Sequence, residues 1–327
     1  MPIDTQAIEN ALEALRRGGL VAIPTETVYG LAADADNQAA VLSTYKAKGR
    51  PADHPLIVHV DSIDAIEHWA QEIPPEAWVL AKKYWPGPLT LVLKRQSRVG
   101  DWVTGGQDTV ALRCPSHPWC HALLSAFAGP THKGLTAPSA NTFGRISPSS
   151  AQHVLDDLGL KPEGKCDVIL DGGPCEFGIE STMVNLSQGT PSILRHGVIT
   201  REMLEATLGF QVPDAGADAP RASGRLKSHY APRTPLELLD EAPLLERIRE
   251  LGAGEIALLA TPELIAQCPE RPFFVIEASK DLRAYGASLY ENLHRLDTSG
   301  AKRILVQRPN PEPAWAAIHD RLGRAAA

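Results

Sequence analysis

Residues 20–60 place polar and cationic side chains between two apolar segments. The run LVAIPTETVYGLAADA begins as a strand, breaks at Pro24, and continues with three hydroxyls and one carboxylate, which are Thr25, Glu26, Thr27 and Tyr29. After a helical stretch, the run YKAKGRPADHPLIVHV supplies cations and imidazoles before and inside the next apolar strand, namely Lys46, Lys48, Arg50, His54 and His59. A strand, a polar turn and a cationic loop in this order indicate a site for an anionic ligand.

Taken alone, the tripeptide KGR at 48–50 is ambiguous, because cations also stabilise the C-terminal ends of helices. Two further polar clusters favour a phosphate site. One is TAPSANTFGRISPSS at 136–150, which carries Ser139, Asn141, Arg145 and Ser147, and the other is DGGPCEFGIESTMVNL followed by PSILRHG. Tight turns and a helix cap at Ser149 or Ser150 are the alternative explanation of these clusters.

Arg113 lies inside the apolar strand TVALRCP. A buried charge is costly unless it is paired. Arg113 is therefore expected either to form an ion pair with a protein carboxylate or to bind an anionic ligand, and the sequence leaves both alternatives open.

The composition limits the classes of function. A chain of 327 residues with 43% hydrophobic and 22% charged residues can form two soluble domains. Proteins that coat nucleic acid are usually basic, whereas this chain has a formal net charge of -7. A local cation cluster on an acidic background favours a small anionic ligand over a long polyanion. The N-terminus has no signal-peptide pattern and no apolar run is long enough to span a membrane, so we expect a cytoplasmic protein.

The five cysteines are odd in number and form neither a CxxC pair nor a zinc-finger spacing. We expect reduced, structurally incidental thiols and no metal site held by the protein. A structural zinc site and a nucleophilic cysteine are the remaining alternatives.

Residues 1–208 are predicted to form an α/β domain with α+β character and a mixed sheet, because several strands follow one another without intervening helices. A capped amphipathic helix is expected at residues 4–17. The predicted strands are LVAI, PLIVHV, LTLVLKR, TVALRCP, GLTAPS, CDVILDG, STMVNLS and PSILRHG, and the predicted helices lie near 37–47, 63–71, 75–84, 117–127 and 150–158.

Residues 209–235 are predicted to be a linker, since this stretch is rich in proline and has no apolar periodicity. It carries a compact cluster of Arg225, Lys227, His229 and Tyr230. Strand and helix patterns then alternate over residues 236–327, which predicts a small parallel α/β domain.

Together these motifs resemble the YrdC-like family. The resemblance rests on PTETVYGL at 24–31, KGRPADHPLIVHV at 48–60, the pair Lys48-x-Arg50 and Ser139-x-Asn141, GIESTMVN at 178–185, and ILRHG at 193–197. The SHYAP run at 228–232, followed by a small α/β domain, is similar to the two-domain members of the family. The resemblance implies a twisted mixed sheet with a concave basic cavity.

The resemblance also implies an activity. Enzymes of this family join L-threonine, bicarbonate or carbon dioxide, and ATP into threonylcarbamoyl-AMP and release pyrophosphate. Downstream tRNA threonylcarbamoyl-transfer proteins use the product to form N6-threonylcarbamoyladenosine at position 37 of tRNAs that read codons beginning with A, and weak tRNA binding is compatible with this role. Mg²⁺ is expected to be bound mainly through the ATP phosphates.

Carried onto this sequence, the resemblance implies a set of site residues. The catalytic cations are Lys48 and Arg50. The L-threonine pocket comprises Thr27, His59, Arg113, Ala137 and Ser181. The ATP site comprises Arg50, His54, Thr109, Ser139, Asn141, Ser147, Arg195 and Tyr230. His54 stands where many relatives carry Asn, which adds a group whose charge depends on pH. The linker is expected to close over the nucleotide.

Three alternatives stay open at this stage. A module that binds double-stranded RNA without catalysis is disfavoured by the acidic net charge. A carbamoyl-adenylate enzyme of the hydrogenase-maturation type is disfavoured because such relatives carry additional zinc-finger segments. An enzymatically silent paralogue is compatible with the sequence, although the motif set is intact.

Overall fold

The computed structural model describes residues 2–224, 226–268 and 270–327, with the backbone alone described for residue 253. The chain forms two compact units. The first contains the residues up to 143, 148–176 and 180–224, and the second contains 144–147, 177–179 and the residues from 226 onward. Arg225 of the predicted linker cluster lies outside the described residues.

Ten strands form one sheet in the described part of the first unit. They are β1 (Val21–Ile23), β2 (Gly30–Asp34), β3 (Ile57–His59), β4 (Ala70–Gln71), β5 (Leu89–Arg95), β6 (Thr109–Arg113), β7 (Leu135–Thr136), β8 (Val168–Ile169), β9 (Thr182–Asn185) and β10 (Ser192–Arg195). Their order is β10-β9-β5-β6-β3-β7-β2-β1-β8, with β4 paired to β5. The pairs β1–β8, β3–β6 and β5–β9 are parallel and the others antiparallel, so the predicted mixed sheet is confirmed.

The helices of this unit are α1 (Thr5–Arg16), α2 (Gln38–Lys48), α3 (Ile66–Trp69), α4 (Pro75–Tyr84), α5 (Asp101–Thr104), α6 (Pro118–Ala128), α7 (Ala151–Asp157) and α8 (Arg201–Leu208). The prediction for α1 is confirmed. Its N-cap is Asp4, whose carboxylate accepts hydrogen bonds from the backbone N–H groups of Gln6 and Ala7. Such caps satisfy amides that have no partner inside the helix.

The strand β2 was not predicted, because its residues GLAAD are small and carry little strand propensity. Tertiary pairing decides its conformation: β2 lies between β1 and β7 and pairs with both. Residues 70–71 were predicted to end a helix, and they form β4 instead by pairing with Lys94 and Arg95 of β5.

Alternation along the central strands separates two faces of the sheet, since successive strand side chains point to opposite sides. Val58, Leu91, Val110, Leu112 and Val184 enter the main apolar core. The opposite face carries a smaller apolar cluster of Ile57, Val92, Ala111, Met183 and Leu194. We call this second face the site face.

A segment of the predicted linker, residues 213–223, lies on the site face and is named the strap. Its first part pairs with β10, where Ile193 donates to Pro213 O (2.8 Å) and accepts from Ala215 N (2.9 Å). Its last part is held by Gln107, which exchanges hydrogen bonds with the backbone of Arg221. Three strap alanines pack against the apolar cluster of the site face, namely Ala215, Ala219 and Ala222.

The described part of the second unit contains a four-stranded sheet of order β11-β14-β12-β13. Its strands are β11 (Leu236–Leu239), β12 (Ile256–Ala260), β13 (Phe274–Glu277) and β14 (Arg303–Gln307), and its helices are α9 (Glu241–Leu251), α10 (Pro262–Ile265), α11 (Leu282–Asp297) and α12 (Ala316–Ala325). All strand pairs are parallel, which confirms the prediction of a small parallel α/β domain.

The short segment 177–179 packs tightly against α11 within the second unit. Gly178 has a φ of +66°, and a Cβ there would lie 2.4 Å from Ala287 O and 2.6 Å from Gly286 O. Only glycine tolerates both the left-handed backbone and this approach. The glycine of the GIESTMVN motif is therefore required by packing.

Candidate active site

Four polar side chains share the site face because of the two-residue period of the strands. His59 alternates with Val58 on β3, Thr90 lies beside Leu91 on β5, and Thr109 and Arg113 flank Ala111 on β6. All four are buried. Parallel pairing of β3 and β6 sets His59 directly beside Arg113.

Arg113 forms a buried ion pair with Glu26. Its Nη2 lies 2.6 Å from Glu26 Oε1, and the other carboxylate oxygen of Glu26 accepts from Ser116 N at 3.1 Å. The two side chains are only 5% and 3% exposed. Arg113 Nε is also buried but has no hydrogen-bond partner among the described residues. The guanidinium is therefore charge-compensated and still offers a donor to a ligand.

His59 presents a second buried atom at the same place. Its Nδ1 has no hydrogen-bond partner in the described part of the chain. Burial, followed by the nearby Arg113 charge, lowers the pKa of His59 to about 3. At neutral pH the imidazole is uncharged, so it can serve a ligand as a neutral donor or acceptor.

Thr27 and Ala137 lie near this part of the sheet. The fully buried Thr27 hydroxyl is 2.9 Å from Thr25 Oγ1, and Thr25 Oγ1 donates to Val28 O at 2.6 Å. Thr27 is therefore the donor to Thr25. Ala137 N donates to Ile57 O on β3 (3.2 Å).

Ser181 precedes β9 and joins two elements. Its Oγ lies 2.7 Å from Thr90 Oγ1 and accepts from Arg195 Nη2 at 3.0 Å. Arg195 also donates from Nε and Nη2 to Ser181 O. Since the serine hydroxyl bonds both Thr90 and Arg195, Ser181 connects β5 and β10 on the site side of the sheet.

Lys48 links the Lys-x-Arg and Ser-x-Asn motifs. It is the last residue of α2, and Gly49, with φ 63°, ends the helix. Its Nζ donates to the carbonyl oxygens of Ser139 and Asn141, and Lys48 O accepts from Phe143 N at 2.8 Å. Burial, and next the charge of Arg50, lower the pKa of Lys48 well below its usual value. The Ser139–Asn141 loop is thereby fastened to the end of α2.

Arg50 and Arg195 meet at one residue of the strap. Arg50 Nη2 donates to Ser223 Oγ (3.0 Å) and to Pro55 O (2.9 Å), whereas Arg195 Nη1 donates to Ser223 O (3.2 Å). Thr109 lines a small cavity beside Ser223 together with Pro55 and Ala111. Two guanidinium groups thus converge on oxygen atoms above the site face, as they would on a polyanion.

His54 lies next to this cation pair. Its ring meets Phe143 edge to face at 5.4 Å, and Arg50 lies over the same phenyl ring at 5.6 Å. Burial, and then the charge of Arg50, lower the pKa of His54. The histidine is therefore neutral at physiological pH in this setting.

Ser147 and Tyr230 belong to the second unit. Ser147 is fully buried, and its carbonyl oxygen lies 3.2 Å from His294 Nε2. Tyr230 is 2% exposed and has a left-handed backbone with φ 62°. Its ring lies 5.7 Å from Tyr290 and 5.4 Å from the Arg321 guanidinium.

The cysteines are free, and burial raises the pKa of each of them. For Cys114 the pKa rises to about 12. A thiol must ionise to act as a nucleophile, and these thiols stay protonated at neutral pH. Within the described residues, no group of three or more His, Cys, Asp or Glu side chains could hold a metal ion. None of the described helices is long and apolar enough to cross a membrane.

Two family models cover most of the chain. The Sua5, YciO and YrdC model, described as telomere recombination, matches residues 13–197. The model for the C-terminal domain of threonylcarbamoyl-AMP synthase matches residues 199–327. The chain belongs to the Sua5/YciO/YrdC family.

Members of the Sua5/YciO/YrdC family resemble the chain along nearly its whole length. The threonylcarbamoyl-AMP synthase of Pyrococcus abyssi is 36% identical, covering 99% of this chain and 95% of that protein. The synthase of Bacillus subtilis is 37% identical, covering 98% of this chain and 92% of that protein. The crystal structure of P. abyssi Sua5 complexed with L-threonine matches with a TM-score of 0.88 and 34% identity, covering 100% of this chain and 96% of that one.

Sequence reasoning assigned no role to three residues that the site of this Sua5/YciO/YrdC member contains. Glu26 stood out in the polar turn, but its pairing with Arg113 spans 87 residues. Thr90 was visible as a polar residue in the apolar strand LTLVLKR. Ser223 carried no signal, since a serine in a proline-rich stretch is unremarkable.

The buried neutral His59 predicts a pH dependence of stability. Between about pH 3 and 6.5 the unfolded chain binds a proton at this position and the folded chain does not, so stability falls as the pH is lowered through this range. At pH 5 the expected loss is about 2 kcal/mol. Urea unfolding of the wild type and His59→Gln at pH 7 and pH 5 measures it. An equal loss in both proteins would show that His59 titrates normally.

Proposed function

We propose that this chain is a threonylcarbamoyl-AMP synthase. It forms threonylcarbamoyl-AMP and pyrophosphate from L-threonine, bicarbonate or carbon dioxide, and ATP. The product then serves N6-threonylcarbamoyladenosine formation at position 37 of tRNAs that read codons beginning with A. Support comes from the names of the relatives, which match over nearly the full length.

One observation about the site carries the proposal. The site face holds the buried, charge-compensated guanidinium of Arg113, whose Nε has no partner among the described residues. Close to the strap, two further guanidinium groups converge on Ser223. An amino acid carboxylate suits the first group, because a guanidinium binds carboxylates through parallel hydrogen bonds. A triphosphate suits the second.

In the proposed threonine pocket, Arg113 binds the α-carboxylate and the neutral His59 hydrogen-bonds the substrate. Thr27, Ala137 and Ser181 complete the pocket. These residues are all buried, and Arg113 is the one side chain among the five that is charged at neutral pH. The pocket therefore favours a ligand with one carboxylate and small neutral hydrogen-bonding groups.

In the proposed ATP site, Arg50 and Arg195 bind phosphate oxygens, while Thr109, His54, Ser139 and Asn141 contact the rest of the nucleotide. Ser147 and Tyr230 of the second unit are assigned to ATP by the family resemblance. Lys48 acts from the end of α2, where it also holds the Ser139–Asn141 loop. Preorganised cations of this kind stabilise negative charge that develops during phosphoryl transfer.

The chemistry follows from these assignments. The neutral threonine amine attacks carbon dioxide, and loss of one proton to water gives the carbamate anion. A carbamate oxygen then attacks the α-phosphorus of ATP, in line with the departing pyrophosphate. The residues contribute positioning and electrostatic stabilisation, as in other phosphoryl transfers.

Mg²⁺ is proposed to enter with ATP. Glu26, the carboxylate next to Arg113, is engaged by Arg113 and by Ser116 N. Among the described residues no group of three or more His, Cys, Asp or Glu side chains could hold a metal ion, and we propose that the ATP phosphates supply the oxygen ligands that Mg²⁺ prefers.

The strap is proposed to exclude water from the carbamate, which loses carbon dioxide readily in solution. Its contacts with Arg50 and Arg195 occupy the groups assigned to phosphate, so ATP must replace the oxygen atoms of Ser223. A chain that ends at residue 210 should lose adenylate synthesis. Full synthesis by a folded fragment would exclude this role for the strap.

The function is tested with purified protein, L-threonine, bicarbonate and Mg-ATP. We expect threonine-dependent release of pyrophosphate and a product with the mass of threonylcarbamoyl-AMP. Calorimetry should detect L-threonine more strongly than L-serine, with and without ATP. Absence of product, together with RNA binding that weakens steeply with salt, would favour the RNA-binding alternative.

A further inference from the structure

Residues 226–234 are fastened by helices of the second unit. His229 N donates to Arg324 O (3.2 Å), and the Arg324 guanidinium donates to Leu226 O. At the other end, Arg233 N and Thr234 N donate to the two carboxylate oxygens of Asp297, at 2.9 and 2.7 Å. The end of α12 and the end of α11 therefore fix both sides of this segment.

The residue between these attachments has an unusual backbone. Tyr230 has φ 62°, which costs a non-glycine residue roughly 1–2 kcal/mol. Such conformations persist only where surrounding contacts enforce them, and they concentrate at functional sites. Here the enforcing contacts include the neighbouring Ala231 N, which donates to Gly144 O at 2.9 Å.

The Tyr230 ring is enclosed by three side chains. His229 lies 4.2 Å away in an edge-on arrangement, Tyr290 of α11 lies 5.7 Å away at 31°, and the Arg321 guanidinium of α12 lies 5.4 Å from the ring centroid. Arg321 is completely buried. Its Nη1 donates to Asp320 Oδ2 (2.8 Å), and Asp320 also binds Arg324. The Asp320 carboxylate thus connects Arg321, which lies over the Tyr230 ring, with Arg324, which donates to Leu226 O.

A buried guanidinium is expensive, and an apolar side chain of similar volume often stabilises a fold equally well or better. The presence of the Arg321 guanidinium against the Tyr230 ring is better explained by the position that it imposes on this ring, because a desolvated cation–π contact is both strong and directional.

We propose that Arg321 is a positioning residue for ATP binding, which acts by holding the Tyr230 ring in place. The inference rests on the proposed function, which assigns Tyr230 to the ATP site. It also gives the second unit a role. Helices α11 and α12 hold residues 226–234 in one conformation before the nucleotide binds, so less conformational entropy is lost on binding.

The experiment compares steady-state kinetics of full-length Arg321→Met and Arg321→Lys with the wild type. We expect Arg321→Met to raise KM for ATP about tenfold or more, because the cation–π contact is lost. KM for L-threonine should change less than about twofold, and Arg321→Lys should be intermediate because an ammonium group keeps part of the interaction. Arg308→Met is the matched control, since Arg308 lies in the same unit and binds Asp240 at a half-exposed position.

Two further measurements distinguish the loss of Tyr230 positioning from a general structural defect. Tyr290→Leu removes the other stacking partner from α11 and should raise KM for ATP in the same selective way. In a Tyr230→Ala background, Arg321→Met should have no further effect on KM for ATP, whereas a purely structural role would add to the loss. Thermal unfolding checks that each variant is folded.

The outcomes separate this inference from the proposed function. An unchanged KM for ATP in folded Arg321→Met, or equal increases for ATP and L-threonine, would overturn the positioning role while leaving the synthase activity standing. A wild-type chain without threonine-dependent product would instead overturn the proposed function.

Discussion

The Arg113→Ala variant is expected to bind L-threonine at least about 30-fold more weakly than the wild type. Truncating one partner of a buried, hydrogen-bonded charge pair costs about 2–5 kcal/mol, and each 1.4 kcal/mol is tenfold in Kd. The expectation follows from the Arg113 Nε, which has no partner within the described part of the chain, in a guanidinium that Glu26 already holds in position. Isothermal titration with L-threonine measures the loss.

The control addresses the carboxylate that the substitution leaves behind. Arg113→Ala buries an unpaired Glu26, which destabilises the fold in its own right. The double variant Arg113→Met with Glu26→Gln removes both charges and should fold while still failing to bind L-threonine. Arg113→Lys keeps the charge without the planar fork and should also bind weakly. Wild-type affinity in either folded variant would remove Arg113 from the pocket.

Lys48→Ala and Arg50→Ala are each expected to reduce threonine-dependent ATP–pyrophosphate exchange by about 10²–10³-fold. This range is typical for the loss of one preorganised group that stabilises developing charge. Lys48 has a second role, because its Nζ also holds the Ser139–Asn141 loop. Lys48→Ala should therefore reduce the exchange rate more than Arg50→Ala does. Exchange of radiolabelled pyrophosphate into ATP measures the effect.

Lys46→Ala is the matched control for this pair. Lys46 lies on the same helix two residues before Lys48 and is exposed, so its loss should leave exchange unchanged. L-Threonine binding by the folded Lys48→Ala variant should stay close to the wild type, because Lys48 is assigned to the phosphates. A folded Lys48→Ala, Arg50→Ala double variant with normal exchange would refute the phosphate assignment.

Local patterns were sufficient for the elements that carry the site. The apolar runs TVALRCP and PLIVHV predicted β6 and β3, and the capped amphipathic pattern of residues 4–17 predicted α1. These signals succeed because burial on one face and capping of free amides act over a few residues. The strand β2 escaped prediction because its conformation depends on pairing partners that are distant in the chain.

The partner of each charged side chain could not be predicted from local sequence patterns. The sequence left open whether Arg113 pairs with the protein or with a ligand. The tertiary structure gives it a protein partner in Glu26 and also leaves its Nε without one among the described residues. A guanidinium has five donors, so the two alternatives were not exclusive.

The order of residues along the chain determined most of the helices and strands, though not β2 and β4, and the motif set that points to the Sua5/YciO/YrdC family, because these depend on short-range spacing. Only the folded chain decided which charged groups compensate each other, that Ser223 bridges Arg50 and Arg195, and that Arg321 lies behind Tyr230. Such contacts join residues up to 173 positions apart. Their geometry is set by the packing of whole sheets and helices, and no local propensity encodes it.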